Sequence, residues 1–284
     1  MGRYKKLNRS RGGNMIIFIM LILLGAFMAL PLIYAIVQSV KPVEELFLFP
    51  PRFTVRRPTF DNFRGLLSVA GSNLWVPFER YVLNSVFISV MATTGHVILA
   101  SMAAYPLAKH PFPGAKIIFN LIVLSLLFST SVTSIPQYIV MSRLHLINTY
   151  WAMILPSLAM TLGLYLMKQF MTQIPDAMLE AARIDGAREF RIFFTIVMPQ
   201  VKPAWLTLII FAFQAAWNQT GFSFIFNEEL KVLPTVLRQI SAGGIARAGI
   251  SSAATALLMI PPILTFLMTQ SSVIETMSHS GIKE

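Results

Sequence analysis

Gln173-Ile-Pro-Asp-Ala-Met-Leu-Glu-Ala-Ala-Arg-Ile-Asp-Gly-Ala-Arg-Glu-Phe-Arg-Ile-Phe-Phe-Thr-Ile-Val-Met-Pro199 lies between two apolar runs and mixes charged with apolar residues throughout. It reads as two short helices joined at a glycine. Pro175 fits a first helical turn, where its missing N–H costs nothing, and Asp176 sets negative charge at the positive end of the helix dipole. Gly186 can take a positive backbone angle that other residues avoid, so it is predicted to end the first helix and turn the chain. Beyond it Phe190, Phe193, Phe194 and Val197 recur at i, i+3, i+4 and i+7, flanked by Arg188, Glu189 and Arg191. That stripe predicts a second helix lying along a membrane surface. Asp185, beside the turn, is expected to cap it, and Pro199 and Pro203 to stop it and open the next spanning helix.

The rest of the chain says why a membrane surface is at hand. Of 284 residues, 55% are hydrophobic and 12% charged, and the mean hydropathy is +0.66, whereas soluble domains carry about 25% charge. Apolar windows of about 20 residues, each able to cross a hydrocarbon core of about 30 Å, recur along it. Helices are predicted over 15 to 37, 82 to 106, 116 to 140, 149 to 169, 204 to 226 and 252 to 274. This is an all-α polytopic membrane protein with six transmembrane helices. The first run is longer than a signal-peptide core and no A-x-A-like site follows it, so it is read as a retained helix. Residues 38–81, with Pro42, Pro50, Pro51 and Pro58, are too polar to span and form an extracytoplasmic loop. Residues 82–274 form a five-helix core with the loop 173–203 inside it, and 275–284 a tail.

Arg3, Lys5, Lys6, Arg9 and Arg11 hold residues 1–14 in the cytoplasm, and six crossings return the C-terminus there. Elsewhere the cations divide nearly evenly between the two sides, so orientation rests on this first segment. A formal charge of +11 could point to nucleic acid, but the 23 Lys and Arg sit in short segments between apolar runs. Topology and anionic headgroups account for them. With no cysteine there is no disulfide framework, thiol nucleophile or thiolate metal site.

The spacing Glu180-Ala181-Ala182, three residues, Gly186, nine residues, Ile196, one residue, Met198-Pro199 resembles the EAA loop of ABC-importer permeases, with Met198 where leucine is usual. The longer form from Glu180 to Ala187 is similar to the carbohydrate-uptake branch, of which the maltose permease subunits are familiar members. Tyr81-Val-Leu-Asn-Ser85, Ala104-Tyr-Pro-Leu-Ala-Lys-His-Pro-Phe-Pro-Gly114, Asn148-Thr-Tyr150 and Trp217-Asn218 resemble further landmarks of that branch. The resemblance implies a type I importer permease fold in the bacterial inner membrane. It also implies a second, different permease as heterodimer partner, two ATP-binding subunits carrying ATP and Mg, an extracytoplasmic solute-binding protein, and a sugar or oligosaccharide as solute. Glu180, Ala181, Ala182, Asp185, Gly186, Ala187, Ile196 and Pro199 would form the coupling element docking on an ATPase. Ala181 and Ala182 allow close approach, and Glu180 can accept charge-assisted hydrogen bonds. The chain has no G-x-x-x-x-G-K-[ST], hence no phosphate cradle of its own, and no cofactor is expected on it.

Gln214 and Asn218 share a helix face with Trp217 beside them, a set whose plainer reading is cross-helix packing and which would also suit a sugar's hydroxyls and apolar faces on a translocation path. His96 is read as a packing histidine. The loop 227 to 251 faces outside, and Gly243 and Gly244 are expected to make it slim enough to reach the binding protein or to act as a flexible connector. The rival readings are an ion-coupled secondary transporter or channel, which wants acidic residues at midplane, and an intramembrane enzyme, which wants H-E-x-x-H or G-x-S-x-G. Neither signature is present. The tail ending Lys283-Glu284 departs from the branch's commoner ending, and no role is carried onto it.

Overall fold

The computed structural model describes residues 11–50, 52–72, 76–244 and 247–280, all helix, turn or loop. The N-terminal cations up to Arg9 and the last four residues lie outside them. The chain divides into two units by internal contacts: Met1–Val69 with Ile240–Leu257, and Ala70–Gln239 with Leu258–Glu284.

The first unit contains α1 (Arg11–Ser39), α2 (Val43–Leu46) and α3 (Asp61–Ser72). α1 is apolar on every side and nothing in its spanning window is buried, as suits a helix whose solvent is lipid. The end of α1 is satisfied from afar: the Asn62 amide, buried in α3, donates to the carbonyls of Ser39 at 2.9 Å and Lys41 at 2.7 Å. Gly249, at the start of α14 (Ala248–Ser280), leaves room for that amide, because a Cβ there would lie 2.1 Å from Asn62 Oδ1. The expected loop 38–81 is thus folded around two helices.

The second unit is built on α4 (Phe78–Lys109), with α5 (Ala115–Ser125), α6 (Thr130–Arg143), α7 (Trp151–Leu158), α8 (Thr161–Thr172) and α12 (Lys202–Trp217). α4 buries Tyr81, Ser85, Ile88, Ala92, His96, Ala100 and Ala104. It also buries Ser89, Thr93 and Ser101, so small residues recur at i, i+3 and i+4 along this face and let α8 and α12 approach closely, as helix pairs in lipid require. Gly163 of α8 is the tightest point, where a Cβ would fall 2.1 Å from His96 Nε2 and 2.5 Å from Leu208 Cδ1.

Among the described residues, four helices are long and apolar enough to cross a membrane: Gly12–Ser39, Phe78–Lys109, Trp151–Thr172 and Ala248–Gln270. The pair Glu189–Gln200 and Lys202–Trp217, bent by 80°, makes a fifth if taken as one span. The single helix expected over 116 to 140 is not formed, because the chain breaks between Ser125 and Thr130 into α5 and α6. The helix expected over 204 to 226 ends at Trp217, where the chain turns out through Gly221 at φ 64°. The span over 149 to 169 is interrupted at Ala159–Met160.

Breaks in a bundle leave backbone groups that lipid cannot satisfy, and ring N–H groups meet them here. His96 Nδ1 lies 2.9 Å from the carbonyl of Leu158, the last residue of α7. A carbonyl only accepts, so Nδ1 carries a proton. Trp205 Nε1 donates to Met198 O at 3.1 Å, at the 80° bend. Trp217 Nε1 donates to Leu258 O at 3.0 Å, a carbonyl left open because its helical partner four residues on is Pro262, which has no N–H.

Candidate functional site

The segment 173–203 folds as two helices, α9 (Asp176–Ile184) and a second running Glu189–Gln200. The second contains α10 (Glu189–Ile192), a wide π turn over Phe193–Val197 and α11 (Met198–Gln200). In the π turn Met198 N–H reaches back to Phe193 O, just ahead of Pro199, whose ring cannot continue an ordinary ladder.

Gly186 ends α9 as its position predicts, with φ 77°. Ala187 N donates to Ala182 O and Gly186 N to Arg183 O, both at 3.0 Å, the paired bonds of a Schellman cap. A Cβ at Gly186 would meet nothing within 4 Å. The glycine is therefore required by backbone angle and not by crowding. Asp185 is the C-cap of α9; the residue capping the second helix is Arg188, without a side-chain bond. The capping role expected of Asp185 is not realised, because the Schellman turn places three residues between it and the helix it would cap.

α9 has two faces. Leu179 and Ala182 are buried in the core with Ile174 and Met171, while Glu180, Ala181 and Ile184 point outward, Ile184 at 87% exposure. Of the two alanines read as close-approach residues, Ala182 is used inside the chain and only Ala181 is offered outside. The aromatic stripe divides likewise: Phe193 and Val197 are buried, and Phe190 and Phe194 are 69% and 56% exposed. Ile196 is half-buried and Pro199 exposed.

Residues not singled out for the site hold this element to α4. Lys109, its side chain 4% exposed, places its ammonium 2.7 Å from Asp176 Oδ1 and 3.4 Å from Thr172 O, and also donates to Ile174 O. It thus caps the end of α8 and the start of α9 at once. Tyr105 Oη donates to Glu189 Oε2 and Arg183 Nε to Glu189 Oε1, both at 2.8 Å, with His110 Nε2 3.5 Å away. The Arg183 hydrogen bond, ahead of that from Tyr105, holds the Glu189 carboxyl below the usual carboxylate range. Glu189 therefore ties both helices across Gly186 and fixes both to α4. The one sequence signal for these grips is the stretch Ala104–Gly114, legible as a landmark but not as a clamp.

The other landmarks meet at the opposite end of α4. Asn84 Nδ2 donates to Glu229 O at 2.8 Å and Lys231 O at 2.9 Å, and Tyr150 Oη donates to Asn84 Oδ1 at 2.8 Å. Ser85 Oγ accepts from Leu233 N at 2.7 Å. Asn148, at φ 61°, accepts from the backbone of Phe226 and Asn227. The loop 227 to 251 is consequently no free arm. Its first part is knotted to α4, its middle forms α13 (Leu233–Ser241), and Gly243 and Gly244 lie in the turn after α13, Gly244 at φ 79°. Trp217 is 2% exposed and spent on α14, whereas Gln214 and Asn218 are exposed. A cavity of about 440 Å³ opens beside the α7–α8 break, lined by His96, Ser125 and Thr161 among apolar residues.

A bundle of lipid-length helices with a two-helix element gripped at one end of α4 is the framework of a polytopic membrane protein. Residues 87–275 match the binding-protein-dependent transport system inner membrane components, and the chain belongs to that family. It is the permease subunit of an ABC importer, with ATP hydrolysis on a separate subunit. It is 28% identical over 264 residues to the sn-glycerol-3-phosphate transport system permease protein UgpE of Pectobacterium atrosepticum, covering 92% of this chain and 94% of that one. It is also 28% identical over 267 residues to the arabinooligosaccharides transport system permease protein AraQ of Halalkalibacterium halodurans, covering 91% and 92%. A crystal structure of a bacterial ABC transporter involved in import of the acidic polysaccharide alginate contains a chain of the same fold, with TM-score 0.74 at 20% identity, covering 92% of this chain and 98% of that one.

Proposed function

We propose that this permease imports a sugar or oligosaccharide and that 173–203 is the cytoplasmic element through which a partner ATPase moves it. It would pair with a second permease, two ATP-binding subunits carrying ATP and Mg, and an extracytoplasmic binding protein. The observation that carries this reading is the outward face of α9, with Glu180, Ala181 and Ile184 beside a φ 77° turn, on an element fixed to α4 by Lys109 and Glu189. A docked partner pushing on that face moves α4 with it, because the connection is made of short, charged contacts centred on the buried Lys109 side chain. Ala187, Ile196 and Pro199 keep the turn and the bend in shape, and Asp185 ends α9. The carbohydrate reading is supported by the branch-like motif and by the arabinooligosaccharide relative.

Six crossings, with α5 and α6 together making one and α12 another, put both termini in the cytoplasm. This topology is supported by the grouping of Thr172–Asp176 and Glu189 around Lys109 and Tyr105 at one end of α4, and of Glu229–Leu233 around Asn84 and Ser85 at the other. Gln214 and Asn218 face the solute path, and the Gly243–Gly244 turn faces the binding protein. Cysteine at Ala181, in this cysteine-free chain, should crosslink to an ATP-hydrolysing subunit in native membranes. Absence of that product from positions 180, 181 and 184 alike would remove the coupling role. Uptake measured with a panel of oligosaccharides and with glycerol-3-phosphate in a strain lacking the chain tests the solute; loss of the glycerol-3-phosphate signal alone would overturn the carbohydrate assignment.

A further inference from the structure

The segment after α1 has a surface that the transport reading does not use. Phe47, Phe49 and Phe53 are 53%, 94% and 62% exposed, within a few residues of the exposed cations Arg52, Arg56 and Arg57. Three clustered exposed phenylalanines in a loop need a covering phase.

Its position relative to α1 says which phase. The ring of Phe53 packs on Tyr34 with centroids 5.3 Å apart, and Lys41 stands over the other side of the same region, 5.6 Å from the Tyr34 ring, donating to Arg52 O. The chain therefore doubles back beside α1 instead of leaving its end. Tyr34 is 19 residues beyond Met15, where the apolar run starts, so it stands about 28 Å along the helix axis, at the far edge of a hydrocarbon core of about 30 Å. A tyrosine at that depth is where aromatic belts lie. The loop beside it is at the same depth, continuous with the lipid-facing side of α1.

The charges are arranged to match. Glu45 spends both carboxylate oxygens on the backbone N–H groups of Arg56 and Arg57 at 3.1 Å. This orders the loop and leaves the guanidinium groups of Arg56 and Arg57 without a carboxylate among the described residues. Guanidinium groups at headgroup level match lipid phosphates in bidentate fashion.

We propose that Phe47, Phe49 and Phe53 form an interfacial foot that inserts their rings into the bilayer beside α1, with Arg52, Arg56 and Arg57 held on lipid phosphates. The test uses the whole transporter, purified by a tag on this chain and reconstituted in phosphatidylcholine vesicles with or without phosphatidylglycerol. A nitroxide is placed on Phe49→Cys, with Arg64→Cys on α3 as the aqueous control and the cysteine-free chain as background. The foot predicts that the label at 49 collides more with oxygen than with a water-soluble nickel chelate, and that the control shows the reverse order. Phosphatidylglycerol should deepen the label at 49, and Arg56→Gln with Arg57→Gln should abolish that deepening. Chelate access at 49 equal to the control overturns the proposal. So does protection from both reagents, which would place a protein subunit on the surface, or protection that appears only when a solute-binding protein is added. None of these readouts requires transport, so the result stands apart from the solute assignment.

Discussion

Lys109→Met keeps the length and apolar stem of the side chain and removes only the ammonium. Three acceptors lose a donor, but they are not equal. Asp176 is 75% exposed, and an exposed pair contributes about 0–1 kcal/mol and is screened by salt. Thr172 O is at 3.4 Å on an exposed residue, where water can substitute. Ile174 is 6% exposed, so its carbonyl is left open at a cost of about 1–3 kcal/mol. That term decides the outcome, and it converts to about 5- to 150-fold more frequent opening of the α8–α9 junction. Hydrogen exchange of the α9 amides in the whole transporter reads this directly, and uptake per ATP hydrolysed should fall in parallel. Asp176→Asn removes only the exposed partner and should be near wild type in high salt. Equal effects of the two substitutions, or unchanged exchange in Lys109→Met, would show that the buried carbonyl does not hold the junction.

Gly186→Val forces a branched side chain into φ 77° at a cost of about 1–2 kcal/mol and should uncouple ATP hydrolysis from uptake, while Gly186→Asn should retain most transport; paired ATPase and uptake assays distinguish them. Gly163→Ala places a Cβ 2.1 Å from His96 Nε2 and should lower stability by about 1–3 kcal/mol in a thermal-shift assay. Trp217→Phe leaves Leu258 O without a donor and should loosen exchange around Pro262 by about 0.6–1.7 kcal/mol, the range for bonds between helices in membranes, with solute affinity unchanged. Glu189 has its pKa depressed by Arg183, so its stabilising contribution is present above the ordinary carboxylate value of about 4.3 and is lost as pH falls through the lower folded value. Glu189→Gln should accelerate exchange near Gly186 at neutral pH and match the parent once that carboxyl is protonated.

The elements legible in sequence were those fixed locally. α1, α4 and α14 follow from uninterrupted apolar length, and the turn at Gly186 from a backbone angle that only glycine adopts easily. The breaks after Ser125 and at Ala159–Met160 were not legible, because an interruption in lipid is tolerated only when a distant group meets the exposed backbone. His96, 62 positions from Leu158, carries no local mark of doing so. Trp217 is similar: its pairing is dictated by Pro262, on another helix. The segment 173–203 was legible as two helices joined at Gly186, but its grips on α4 come from a helix end read only as a landmark. Ala182 shows the limit within the motif itself, since helical period and not composition decides which of two adjacent alanines faces out.

α4 is tied at both extremities, to Glu229–Leu233 through Asn84 and Ser85 and to the α8–α9 junction through Lys109. A beam anchored at one tip and loaded at the other yields where its companion strut is weakest, and the neighbouring strut is cut once, at Ala159–Met160. A push delivered near Lys109 is therefore expected to flex the neighbouring helix pair at that two-residue gap, while the contacts at Asn84 and Ser85 hold the far end of α4 in place.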